Sequence, residues 1–120
     1  MATKTTCGMM FERGDIVLVP YPFTDLSASK RRPVLALTAP DGYDDFIGLP
    51  ITSRPQPENG LPILQADMTM GALPAASWIR VDRIVTLSSS LVIKVVGRVS
   101  APVVDRAVER FCSRIGNPKL

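Results

Sequence analysis

Apolar residues along the chain gather in short blocks, and only near its end does their spacing become helical. Ile16, Val17, Leu18 and Val19 follow the Gly14 turn and predict a first strand over residues 15–19, closed by the prolines at 20 and 22. A loop over 20–31 follows, and a connection this long in a small domain is often functional. A second strand is expected over 33–38, because Arg32 precedes a proline and is biased to extended backbone. Residues 39–42 read as a turn, 46–52 as a third strand, 53–60 as a loop and 63–65 as a short edge strand. In 77–83 the pattern alternates: Ile79 and Val81 point one way, and Trp78, Arg80 and Asp82 the other. Residues 91–99 are β-branched and follow three serines, so these last two segments are expected to form a hairpin. Ser100 then reads as a helix N-cap, with Pro102 in the first turn. Val103, Val104, Ala107, Val108, Phe111 and Ile115 recur at helical spacing before Gly116, the expected stop. Arg106, Arg110 and Arg114 fall on the opposite side, where such a stripe commonly does no more than keep a helix soluble. The pattern therefore predicts a mainly β fold of five or six short strands, a curled sheet or barrel, with one C-terminal helix.

Composition narrows the chemistry. The chain has 120 residues, 46% hydrophobic and 21% charged, which fits one globular domain and excludes wholesale disorder. A single domain over 11–116 is expected, with tails at 1–10 and 117–120. No apolar run approaches the ~18 residues of a membrane span, and the first residues lack the apolar stretch of a secretory signal. A cytoplasmic location is the expectation. There is no histidine, which removes Ser-His-Asp and Cys-His catalysis and histidine-ligated zinc. Cys7 and Cys112 are too few and too far apart for a metal site, and are expected to be reduced thiols. Net charge is +3, unevenly spread. Residues 1–77 carry six basic and eight acidic groups, and residues 78–120 carry eight and three. Ten of the fourteen cations are arginine, the residue suited to bidentate phosphate contacts. This bias fits a nucleic-acid or acidic protein partner.

Three segments carry candidate chemistry. Lys30, Arg31, Arg32 and Pro33 end the long loop, and Arg32, held at a strand start, can bind a phosphate and stabilise extra charge in a phosphoryl transition state. Thr52 and Ser53 end the third strand. Such hydroxyls commonly form turns, and they can also donate to a phosphate oxygen. Arg80 and Asp82 share a strand face about 7 Å apart. They form either a surface ion pair or an acid–base or electrostatic pair beside Trp78, on which a base can stack.

Taken together these runs resemble a known family. Residues 13–19 (Arg-Gly-Asp-Ile-Val-Leu-Val), Pro22-Phe23-Thr24-Asp25 and Arg31-Arg32-Pro33-Val34-Leu35 resemble the opening of the PemK/MazF toxin endoribonucleases. Leu49-Pro50-Ile51-Thr52-Ser53 resembles their second motif and residues 77–84 their third. Val96-Gly97-Arg98-Val99 ahead of the helix resembles the close. The resemblance covers residues 11–116 and rests on the order and spacing of four motifs. It implies an SH3-like barrel of five to seven short strands with a C-terminal helix, usually a homodimer. It also implies metal- and cofactor-independent cleavage of single-stranded RNA, and a cognate antitoxin with a disordered acidic segment as partner. By the same resemblance Arg32, Thr52, Ser53, Arg80 and Asp82 stand at catalytic positions. Lys30, Arg31, Trp78 and Arg83 are expected to contact RNA. Some members are thought to use a loop histidine, and this chain has none, so that role is absent or falls to Thr24, Asp25 or Lys30.

The residue set suits RNA, which supplies its own nucleophile, the 2′-hydroxyl. The protein need only align the attack, stabilise the phosphorane and handle two protons. Asp82 is the base candidate. Arginine is a poor proton donor and its charge lowers a neighbouring Asp pKa, so Arg80 reads better as an electrostatic clamp than as an acid. Two other classes compete: a gyrase-poisoning toxin on the same fold and a non-catalytic SH3-like binding module. The first relies on an exposed Trp-Gly-Ile type terminus, whereas the only Trp here is Trp78. The second needs an aromatic-lined groove, poorly supplied by one Trp, two Tyr and four Phe.

Overall fold

The three leading strands bury side chains on both faces, and this sets the architecture. The structure, a computed structural model, describes residues 10–22 and 30–116. Cys7, Thr24, Asp25, both expected tails save Met10, and most of the 20–31 loop lie outside the described residues. β1 (Asp15–Tyr21), β2 (Lys30–Ala36) and β3 (Asp45–Thr52) form an antiparallel meander. Alternate residues enter two cores. Ile16, Leu35, Leu49 and Ile51 belong to one, and Val17, Val19, Val34, Ala36 and Phe46 to the other. Double-sided burial explains why these strands read as unbroken apolar runs.

Five further strands complete a curled half-barrel: β4 (Gly60–Ile63), β5 (Met68–Gly71), β6 (Ser77–Arg80), β7 (Val85–Ser88) and β8 (Lys94–Val99). The hydrogen-bonded order is β4-β6-β3-β2-β1-β8-β5, with β7 also on β3. β3 divides its far edge, its first half pairing with β7 and its last two residues with β6. The sheet thus has eight strands against the five to seven expected. The expected hairpin between the two late segments does not form. β6 pairs with β3 and β4, whereas β8 pairs with β1 and β5, and β7 lies between them in sequence.

Boundaries shift for local reasons. β1 runs on through Pro20 because β8 covers it only as far as Leu18, so a missing N–H is tolerated on the open edge beyond. β6 stops at Arg80 because the chain turns: the Val81 N–H donates to the Asn59 carbonyl and the Arg83 N–H to the Arg80 carbonyl. The 39–42 turn is centred later, where Asp41 Oδ1 accepts from the Tyr43 and Asp45 N–H groups. Those bonds, Asp45 foremost, hold the Asp41 carboxyl below its usual pKa. At β8, Gly97 is required by close approach, since a Cβ there would lie 2.9 Å from the Met70 carbonyl oxygen and 2.7 Å from Met68 Cε.

The helix α1 (Ala101–Gly116) covers the first core with Val103, Val104 and Ala107, while Val108 and Phe111 pack beside it. The Ser100 carbonyl accepts from the Val103 and Val104 N–H groups. Arg106, Arg110 and Arg114 are exposed as expected. Ile115 is not part of the apolar face: it is 68% exposed, beyond the point where the helix leaves the core. Charged groups tie the helix and β8 to the start of β1. Arg13 bonds Asp105 at 2.7 Å, and Arg98 reaches Glu12 at 2.7 Å and the buried Asp15 at 3.0 Å. No helix among the described residues is long and apolar enough to cross a membrane.

Candidate nucleic-acid interface

The start of β2 and the end of β3 lie side by side, because Val34 pairs with Pro50 and the strands diverge beyond that point. A cavity of about 400 Å³ opens there. Lys30, Arg31, Arg32, Thr52 and Ser53 all line it, together with Arg54 and, across the opening, Leu73, Pro74, Ala75 and Ser77. Four of the lining residues are cations and none is acidic.

Arg32 is the best placed of them. Its Nε is buried, and among the described residues it has neither an acceptor for that Nε nor a carboxylate partner. Its guanidinium carbon lies 4.8 Å from the centroid of the Tyr21 ring. Thr52 does two jobs. Its Oγ1 accepts from the Arg54 N–H at 3.1 Å, forming the turn, which leaves its own hydroxyl proton to donate. Arg31 and Ser53 are exposed at the rim.

The second group of predicted residues sits apart. Trp78, Arg80, Asp82 and Arg83 do not line this cavity. Trp78 adjoins it through register, paired directly with Thr52 across β3 and β6. Arg80 and Asp82 form a bidentate pair, Nε to Oδ1 at 2.9 Å and Nη2 to Oδ2 at 2.6 Å, with side chains 19% and 15% exposed. The hydrogen bonds from Arg80 hold the Asp82 carboxyl below its usual pKa, and Asp82 in return raises Arg80. Arg83 is exposed beyond the strand end.

Sequence reasoning missed Arg54 and Tyr21. Arg54 follows the Thr-Ser pair by one residue, and adjacency was its only signal. Tyr21 lies beyond the expected end of β1, and only the longer strand brings it over Arg32.

Residues 12–114 match the family described as PemK-like, MazF-like toxin of type II toxin-antitoxin system. The chain belongs to this family. It is a toxin of a type II toxin–antitoxin system. A search of curated proteins by sequence returns no match. Solved structures share the fold. A MazE–MazF complex from Deinococcus radiodurans is similar with a TM-score of 0.69 at 17% identity, over 92% of this chain and 99% of that one. A mycobacterial endoribonuclease in complex with its cognate antitoxin has a TM-score of 0.65 at 16% identity, over 91% and 96%. The Mycobacterium tuberculosis toxin MazF-mt6 has a TM-score of 0.61 at 19% identity, over 83% and 93%. The mainly β barrel with a C-terminal helix is therefore the fold of the MazF-like toxins.

Proposed function

We propose that this toxin is a metal-independent endoribonuclease that cleaves single-stranded RNA at the cavity between β2 and β3. The observation that carries the reading is a pocket of four cations with no acidic wall, in which Arg32 has no carboxylate partner among the described residues. Such a site suits an anion, and single strands present phosphates together with splayed bases. The 2′-hydroxyl gives its proton to solvent water as its oxygen attacks the adjacent phosphorus, the bond to the 5′-oxygen breaks, and the 5′-oxygen takes a proton from water. The products are a 2′,3′-cyclic phosphate and a 5′-hydroxyl. Arg32 and the Thr52 hydroxyl stabilise the developing charge, and Ser53, Arg31, Lys30 and Arg54 hold the flanking phosphates.

The Arg80–Asp82 pair takes an electrostatic part. Both Asp82 oxygens are engaged and its pKa is lowered, so it is a poor base while paired. Trp78, beside Thr52, offers a face for a base. The mycobacterial relative solved with its cognate antitoxin supports an antitoxin as partner, and an extended acidic segment would suit the charge of the same cationic cavity.

The test is cleavage of a defined RNA in EDTA with mapping of the ends. Cyclic phosphate and 5′-hydroxyl ends are expected, and a 2′-deoxy substitution at the nucleotide 5′ to the cut abolishes cleavage there. A 5′-phosphate product, or efficient cutting at the deoxy position, refutes the mechanism.

A further inference from the structure

We infer that Tyr21 is a positioning residue that aims Arg32 through the face of its ring, an inference that deepens the endoribonuclease reading. In the β1–β2 ladder Val19 pairs with Arg32 and Tyr21 with Lys30, so Tyr21, Lys30 and Arg32 project from one side of the sheet. The ring reaches both cations, with the Arg32 guanidinium carbon at 4.8 Å and the Lys30 Nζ at 5.8 Å from its centroid. The negative face of an aromatic ring attracts a cation, and more strongly when water is excluded.

Water is kept from one atom of this contact. Arg32 Nε is buried and no oxygen among the described residues accepts from it. Other arginines of the fold are fixed by carboxylates: Arg13 by Asp105, Arg80 by Asp82, and Arg98 by Glu12 and Asp15. Arg32 is fixed by a ring. A carboxylate would neutralise the charge that the phosphate needs, whereas a ring orients the guanidinium and leaves its charge and its terminal nitrogens to the substrate. Losing the ring therefore costs alignment, not charge.

The experiment compares Tyr21→Phe and Tyr21→Leu in two assays. In single- and multiple-turnover RNA cleavage, Tyr21→Leu lowers kcat about tenfold, the range of a desolvated cation–π contact. KM and RNA Kd stay within about twofold, and Tyr21→Phe restores the rate because the ring is kept. Adding Tyr21→Leu to Arg32→Ala costs nothing further. In NMR, the Arg32 Nε–H signal of the wild type is shifted upfield by the ring and exchanges slowly, and Tyr21→Leu removes both effects in a folded protein. Wild-type kcat in Tyr21→Leu, an equal loss in Tyr21→Phe, additivity with Arg32→Ala, or a rise in KM alone overturns the positioning role. So does an Arg32 Nε–H signal that ignores the substitution. A wild type that shows the NMR signature yet cuts no RNA upholds the positioning and sinks the endoribonuclease reading instead.

Discussion

Removing the Arg32 side chain should separate the proposed catalysis from stability. On the proposed mechanism, Arg32→Ala deletes one preorganised donor at the reacting phosphate. That loss is worth ~10²–10³ in rate, about 3–4 kcal/mol of transition-state stabilisation. The fold is affected by two opposing effects. The ring contact with Tyr21 contributes about 0.5–2 kcal/mol and is lost. The buried, unaccepted Nε costs about 1–3 kcal/mol and is relieved. These nearly cancel, and no carboxylate among the described residues is orphaned. The net change in stability is about 1 kcal/mol or less. Single-turnover cleavage of a fluorogenic RNA should therefore slow at least ~100-fold while the thermal midpoint moves by only a few degrees. Arg31→Ala, at the exposed rim, should be milder. An undiminished rate, or a variant that does not fold, would refute the reasoning: the first removes Arg32 from the chemistry, the second makes it structural.

Three other outcomes follow from the geometry. Arg80→Ala leaves the Asp82 carboxylate largely buried without a partner and should lower stability by about 2 kcal/mol at neutral pH, read from denaturant midpoints. Asp82 has a lowered pKa, so the pair's contribution is complete above about pH 3.9 and is lost as pH falls through the lower folded value; wild type and variant should converge there, and a constant gap would contradict the pairing. Gly97→Val places side-chain carbons against the Met70 carbonyl and Met68, and should cost more than ~2 kcal/mol or prevent folding, as circular dichroism melting would show. RNA and the antitoxin segment should compete, with affinities that fall steeply with salt, and a ternary complex at moderate salt in a filtration assay would exclude a shared cavity.

What the sequence revealed, and what it hid, follows from how each element is held. β1, β2, β3 and α1 were legible because each carries its own apolar signal. β5 was not: Met68–Gly71 has no buried residue and is held on β8 through backbone pairing. β7 was hidden because only Leu87 of its four residues is buried. The hairpin expectation failed because alternation in Ser77–Arg80 reveals which face is inside, not which strand lies alongside. In the site, residue types and order pointed to Arg32, Thr52 and Ser53, and the structure brings them to one cavity. The aromatic contact on Arg32 was illegible, because it depends on strand register across a connection whose length says nothing about pairing.

The two-sided core has an evolutionary consequence. In a sheet with one wet face, a slip of one residue exposes the apolar set and is penalised at once. Ile16-Val17-Leu18-Val19 offers no such penalty, since both faces of β1 are apolar. Alignment of the strands must instead be enforced at a few points where only one residue fits. Gly97 against Met70, the β1–β8 bulge at Ile16 and Val17, and Asp15 beneath Arg98 are such points. At the buried aliphatic positions themselves, residues of similar volume interchange at low cost, and the core is free to drift. A barrel built this way keeps its shape while its sequence wanders, and this accounts for TM-scores of 0.61–0.69 at only 16–19% identity.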